Sequence, residues 1–296
     1  MMDSASSFLD VPTLLEASEP RPRISWTHFM IAGFVLAIFL SWFVSRSSQT
    51  PAMQETLSTF IGAGLVVFIG SMALAAFFGV RKARAEHAAV AALEELIQLR
   101  RWPDAGLILQ SLLARPARSP VSRAQALIYL AMVLTRYHRF EDSVLVHDYV
   151  LENIPLDDAT DHGTRLARAL SLLREENLLD ADRAIAELRR NSRGMESAGL
   201  ALVEMYRDVK TGHPAEAIEI FQERLPAMRR QLGHRLADAW VLAARAYDML
   251  NRPADAQAAF ENATLLTPLA ELIRRYPEVA PLTKAYLPAI APAEVA

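Results

Sequence analysis

WVLAARAYDMLNRPADAQAAFENATLLTP, residues 240–268, is the stretch on which the fold turns. It divides at Asn251-Arg252-Pro253 into two segments whose apolar residues recur every three or four positions, the period of a helix buried along one side. Proline suits the first turn of the second helix, where its missing N–H has no intrahelical partner. Small residues at Ala244 and Ala256 let the two helices approach, while Trp240, Tyr247 and Phe260 are large enough to fill the space between successive pairs. One such pair cannot bury its own apolar faces, so further copies are expected beside it.

They occur in degraded form. Leu127, Leu130, Ala131 and Leu134 lead to Phe140-Glu141-Asp142-Ser143. Ala201, Met205 and Tyr206 lead to Pro214, Ala217 and Phe221, and Leu166, Ala169, Leu170 and Leu173 lead to Asp180-Ala181 and Ile185. Trp102-Pro103-Asp104-Ala105 opens an earlier second helix. The small residues Ala105, Ser143, Ala181, Ala217 and Ala256 are spaced by 38, 38, 36 and 39. Trp102-Pro103-Asp104, His213-Pro214-Ala215-Glu216 and Arg252-Pro253-Ala254-Asp255 share proline and an acid in the first turn, which suits the helix dipole.

The unit at 240–268 resembles the tetratricopeptide repeat. Trp240, Ala244, Tyr247, Ala256, Phe260, Ala263 and Pro268 fall at matching intervals, with Ala243 where the family usually carries Leu. The family period is about 34, so the longer spacing here implies extended connections such as 115–120 and 156–163. The resemblance implies an α-solenoid whose first helices line a concave face that holds a peptide or a helix. By that resemblance the partner-binding groove would include Tyr129, Met132 and Arg136 from one copy, Tyr206 from another, and Arg245 and Asp248 from the last. The Lys/Asn set with which some members clamp a terminal carboxylate is not recognisable.

Upstream of the repeats lie two long apolar runs. No charged residue falls between Arg23 and Arg46 or between Glu55 and Arg81, gaps of 22 and 25 residues. A helix needs about 20 such residues to cross the hydrocarbon core of a bilayer. Backbone cannot be left unpaired in lipid, so both runs are expected to be helical spans, about 24–44 and 57–80. The first exceeds the apolar core of a signal peptide and lacks a clear small-residue cleavage site after it. Arg21 and Arg23 precede the first span, and Arg81, Lys82 and Arg84 follow the second, whereas the connecting loop holds only Arg46. The positive-inside rule then places both termini in the cytoplasm of a bacterial-type inner membrane. Trp26 and Trp42 mark opposite ends of the first span, and His28 beside Trp26 reads as an interfacial histidine.

The second span carries Ser71, Ala75 and Gly79 at intervals of four, a small-residue stripe suited to close helix packing. Its partner is expected to be the hairpin's own first helix, or else a second copy in a homo-oligomer. Residues 84–99 hold no Pro or Gly, so the span is expected to run on into the first repeat helix. Residues 1–23 read as a mostly disordered cytoplasmic tail and 277–296 as a Pro-rich C-terminal tail with a short cap, leaving 81–276 for the repeats.

Composition narrows the function classes. Three of the 31 basic and five of the 34 acidic residues lie in 1–80, leaving 28 against 29 in a soluble part of balanced charge, with no pointer to nucleic acid. The absence of cysteine removes disulfides, thiolate metal sites and Cys nucleophiles. There is no phosphate-binding loop, His-Glu-x-x-His motif or nucleophile elbow. His138, His147 and His162 share no assured face and read as ordinary histidines. No catalytic residue, metal or cofactor is therefore expected. The expectation is an all-α, two-span membrane scaffold that binds a protein partner at the cytoplasmic face. The alternative is an accessory subunit of an oligomeric membrane complex in which the spans mediate assembly.

Overall fold

The computed structural model describes residues 9–20, scattered positions between 32 and 46, 51–191 and 197–286. Apart from those scattered positions the expected first span, with Trp26 and His28, lies outside the described residues, as do 1–8 and 287–296. Among the described residues all regular structure is helical, as the sequence leads one to expect. The helices are α1 (Val11–Ala17), α2 (Pro51–Gln98), α3 (Trp102–Leu113), α4 (Pro120–Arg136), α5 (Phe140–Asn153), α6 (Asp158–Arg174) and α7 (Leu178–Asn191). They continue as α8 (Ala198–Thr211), α9 (Pro214–Gln231), α10 (Leu236–Met249), α11 (Pro253–Leu266), α12 (Leu269–Arg275) and α13 (Ala280–Tyr286), with 3-10 turns at Gly233–Arg235 and Pro277–Val279. Two compact units divide the chain, Met1–Tyr137 and His138–Ala296.

In the first unit α2 is a single helix of 48 residues, about 72 Å long at about 1.5 Å per residue. It carries the second apolar run and the following Ala/Glu/Leu stretch without a break. Phe68, Met72, Ala75, Gly79, Ala83, Glu86, Val90, Leu93 and Ile97 form its less exposed face, at spacings of three and four throughout. Leu93 and Ile97 are buried where α2 packs on α3 and α4. Higher up, Leu65, Val66, Val67, Ile69, Leu74, Phe77 and Phe78 are exposed. Gly62–Gln98 is the one stretch among the described residues that is long and apolar enough to cross a membrane, and none of its apolar window is buried.

In the second unit the helices form successive pairs, α6 on α7, α8 on α9 and α10 on α11. Each leading helix also packs on the next, α6 on α8 and α8 on α10, just as α2 packs on α4 in the first unit. Trp240 stacks edge-on against Phe221 of the preceding pair with centroids 4.9 Å apart, and Tyr247 and Phe260 are buried.

The five turns that open α3, α5, α7, α9 and α11 share one backbone conformation. Arg100, His138, Glu176, Gly212 and Asn251 all have positive φ, at the spacing of 38, 38, 36 and 39 already seen in the small residues. After four of them the next N–H reaches back over five residues, from Arg101 to the Leu96 carbonyl (2.8 Å), Asn177 to Leu172 (3.1 Å), His213 to Asp208 (2.8 Å) and Arg252 to Tyr247 (3.0 Å). This is the Schellman closure of a helix end. An acid three residues on is then bound by the residue after the turn: Arg101 to Asp104 at 2.8 Å, Arg139 to Asp142 at 2.6 Å, Asn177 to Asp180 at 2.9 Å and Arg252 to Asp255 at 2.8 Å.

In both tails the structure is more specific than the sequence reading, which takes 1–23 as mostly disordered and gives 277–296 a short cap. In the tail 1–23, Leu9, Val11, Leu14 and Leu15 are buried where α1 packs on α3. In the Pro-rich tail 277–296, the part through Tyr286 is helical, with Val279, Leu282 and Tyr286 buried. In each case short apolar spacing within a polar, proline-marked segment supplies the buried anchors.

Candidate functional site

The expected groove residues fall into two groups, one on each unit. On α4, Tyr129 is buried and burial raises its hydroxyl above the usual tyrosine range. Met132 is exposed, and the Arg136 guanidinium lies 5.5 Å from the centre of the Trp102 ring. Of the three, Met132 is exposed and Arg136 half-buried, while Tyr129 lies in the core.

On α8 and α10 the expected face is covered by the chain's own C-terminal segment. Tyr206 is fully buried, with Tyr276 edge-on against it at 4.9 Å and 87°. The Tyr206 hydroxyl donates to Glu278 Oε1 at 3.2 Å, and Lys210 Nζ lies 3.1 Å from the same oxygen. Burial, followed by the Glu278 charge, holds the Tyr206 hydroxyl protonated well above its ordinary range. Tyr276 is pushed up to about 12, by burial first and then by Asp238. The Arg174 guanidinium stands 5.7 Å from the Tyr276 ring centre. Asp238, fully buried, is bracketed by Arg275 at 2.8 Å and Arg235 at 3.3 Å. Asp248 accepts from Arg245 at 2.6 Å and from the Tyr286 hydroxyl at 3.1 Å. Tyr206 at one end and Asp248 with Arg245 at the other thus hold the segment 276–286, and as arranged Tyr206 offers nothing to an outside partner. Sequence reasoning did not assign Arg174, Lys210, Tyr276, Glu278 and Tyr286 to this face. The signal available was two tyrosines set among prolines in a supposed tail.

The small residues of α2 meet different neighbours. The Ser71 hydroxyl donates to the Phe68 carbonyl at 2.8 Å and stays exposed, and Ala75 is half-buried. A Cβ on Gly79 would lie 3.9 Å from Arg118 Nη1. The approach of the first apolar run is at Gly33, where a Cβ would lie 2.7 Å from Phe68 Cζ. Gly62, Gly64 and Gly70 face open space.

A second cluster, not expected, joins α1 to the rest of its unit. Arg123 is buried and donates from Nε to Ser18 Oγ at 3.2 Å and from Nη2 to the Leu15 carbonyl at 3.1 Å. The Ala117 N–H donates to the Ser18 carbonyl at 3.2 Å. Glu86 of α2 accepts from the backbone N–H of Arg118 (3.1 Å) and of Ser119 (3.2 Å), and His87 Nδ1 lies 3.0 Å from the Ser122 hydroxyl.

The three histidines considered together diverge. His138 packs edge-on against Phe140, His162 Nε2 is 2.9 Å from Ser197 Oγ, and His147 is buried on α5 with its pKa lowered to about 4 by burial and by Arg168. Among the described residues no three His, Asp or Glu side chains are grouped to hold a metal. No protein-family model, no curated protein and no solved structure matches this chain.

Proposed function

We propose that this protein is a membrane-anchored, tetratricopeptide-like scaffold that holds a protein partner at the cytoplasmic face of the inner membrane. The observation that carries the proposal is the repeated helix pair. The same left-handed turn recurs at five positions, and each leading helix packs on the next within its unit, which is how a solenoid is assembled. The partner face is the exposed side of α4 around Met132 and Arg136, since the equivalent side of α8 and α10 is occupied by the chain itself. Anchoring raises the partner's effective concentration, so this face needs only modest affinity.

Three features support a two-span hairpin with both termini inside. The apolar outer face of α2 is exposed, and a patch of that extent is stable in lipid rather than in water. Gly33 of the first run touches Phe68 of the second. Finally, α1 precedes both runs, Ala117 and Arg123 follow them, and the flanks are hydrogen-bonded to each other. Flanks that touch require an even number of crossings, and the basic residues around them favour the cytoplasm.

Two experiments test the proposal. The chain has no cysteine, so Ser48→Cys and Ser111→Cys can be labelled singly in cells. Ser48→Cys is expected to react with an impermeant maleimide, and Ser111→Cys only after permeabilisation; the reverse pattern overturns the topology. In-cell crosslinking of the full-length chain is then compared with M132E/R136E. A partner lost from the folded variant supports the α4 face, and one retained by it removes that face from the function.

The second reading, an accessory subunit assembled through its spans, is favoured by the open space at Gly62, Gly64 and Gly70. Replacing Ser71, Ala75 and Gly79 together with Leu distinguishes it. Loss of self-crosslinking with the partner still bound supports span-mediated assembly.

A further inference from the structure

The loop between α3 and α4 places an arginine where the sequence gives no hint of one. Its backbone is tied to α2 at Glu86, through the N–H groups of Arg118 and Ser119. The Arg118 side chain does not stay at that level. Its Nη1 reaches to within 3.9 Å of the point where a Cβ on Gly79 would sit. Gly79 and Glu86 are two helical turns apart, about 10 Å at about 1.5 Å per residue. The guanidinium therefore lies along α2, back toward the apolar stretch, at the level of its last turn. Arg81, Lys82 and Arg84 are exposed on α2 around this point, and Arg115 is exposed at the start of the same loop. Glu86, the acid of α2 nearest to them, is engaged with backbone amides.

We propose that Arg118 binds the phosphate headgroup of an anionic phospholipid at the inner end of the α2 span, with the exposed Arg81, Lys82, Arg84 and Arg115 adding positive charge around it. The proposal rests on the reading of α2 as a membrane span. A span that ends near Val80 puts its headgroup layer beside Gly79–Arg84, which is where the Arg118 guanidinium is held. Long arginine side chains reach along apolar surface to that layer, and the guanidinium fork matches two phosphate oxygens. Position selects lipid over a protein partner, because the exposed Arg118 side chain reaches back beside Gly79, at the level where the apolar stretch ends. A basic cluster beside a span is also the usual form of anionic-lipid recognition.

The test uses the full-length protein in nanodiscs of phosphatidylcholine with or without phosphatidylglycerol, with retained lipid counted by native mass spectrometry. Native protein is expected to retain phosphatidylglycerol in preference to phosphatidylcholine. R115Q/R118Q should weaken that preference by about fivefold for each arginine removed. Arg101→Gln, which removes an exposed arginine paired to Asp104, is the control and should change nothing. An equal loss in the control, or no loss in R115Q/R118Q, overturns the site while leaving the span intact. Displacement of phosphatidylglycerol by excess inorganic phosphate would assign the site to free phosphate and overturn the lipid source. Release of the native protein from cell membranes by alkaline carbonate would overturn the span and the site together, which separates the two failures.

Discussion

The buried guanidinium of Arg123 donates to the Ser18 hydroxyl across 3.2 Å, although the two are 105 positions apart with both apolar runs between them. Together with its bond to the Leu15 carbonyl, it satisfies the C-terminal end of α1, whose last carbonyls have no intrahelical partner. Arg123→Met should remove the buried side-chain link and loosen α1, which keeps the Ala117–Ser18 hydrogen bond and its buried apolar residues. The expected loss is about 2 kcal/mol, the usual range for a buried charge-assisted hydrogen bond. The more direct measurement is cleavage after the exposed Glu16 by a glutamate-specific protease, which should become fast in the variant while the rest of the first unit stays protected.

His147 gives the second unit a defined pH dependence. Its folded pKa lies near 4, below the ordinary 6.5, so between those values the unfolded chain binds a proton that the folded chain does not. The contribution is fully present above pH 6.5 and is lost as pH falls toward 4, by about 3 kcal/mol in all. His147→Leu should flatten that part of the curve, measured as the difference in urea midpoint between the two proteins across the range.

The left-handed turns should respond to glycine in opposite directions according to what they carry now. Gly212→Ala forces a Cβ into positive φ and should cost about 1 kcal/mol. Glu176→Gly relieves the same conformation and should gain somewhat less, because the unfolded chain also becomes freer. Asn251→Gly should gain least, since asparagine tolerates this region. Denaturant midpoints that fail to follow this order would mean the turns do not limit stability.

At the C-terminal segment, Tyr276→Ala should be severe, about 3–5 kcal/mol, because it empties a fully buried aromatic site against Tyr206. Tyr286→Phe removes only the hydroxyl that Asp248 accepts and should cost about 1 kcal/mol. Near-ultraviolet circular dichroism during thermal unfolding distinguishes the two.

The helices were legible because their signals are local. Apolar spacing and proline at second-helix openings act within a few turns, and the small residues repeat that local pattern from pair to pair. The regularity of the turns was hidden, since four of the five positive-φ positions are not glycine and nothing in Arg100, His138 or Glu176 advertises the conformation. What defeated the site reading was distance in sequence. Tyr206 was placed on an open groove from its helix alone, and the residues that cover it lie about seventy positions later in a segment whose prolines read as a loose tail. Arg123 and Glu86 were invisible for the same reason, because their partners are Ser18 and the backbone of a loop.

The unbroken course of α2 has a mechanical consequence. A hinge or a flexible linker would let a span tilt and turn in the bilayer without moving what it carries. Here the apolar stretch and the residues that pack on α3 and α4 belong to one rod, with no glycine or proline between Gly79 and Gln98. Rotation of the rod about its axis is therefore delivered undiminished to α3 and α4. One alanine inserted after Ala85 would swing everything beyond it by about 100° and lift it by about 1.5 Å. Two or three would point the α4 surface away from where it now faces, and four would nearly restore it. On the proposed reading of α2 as a span, the azimuth of the α4 surface is thus written in the count of residues along a single helix.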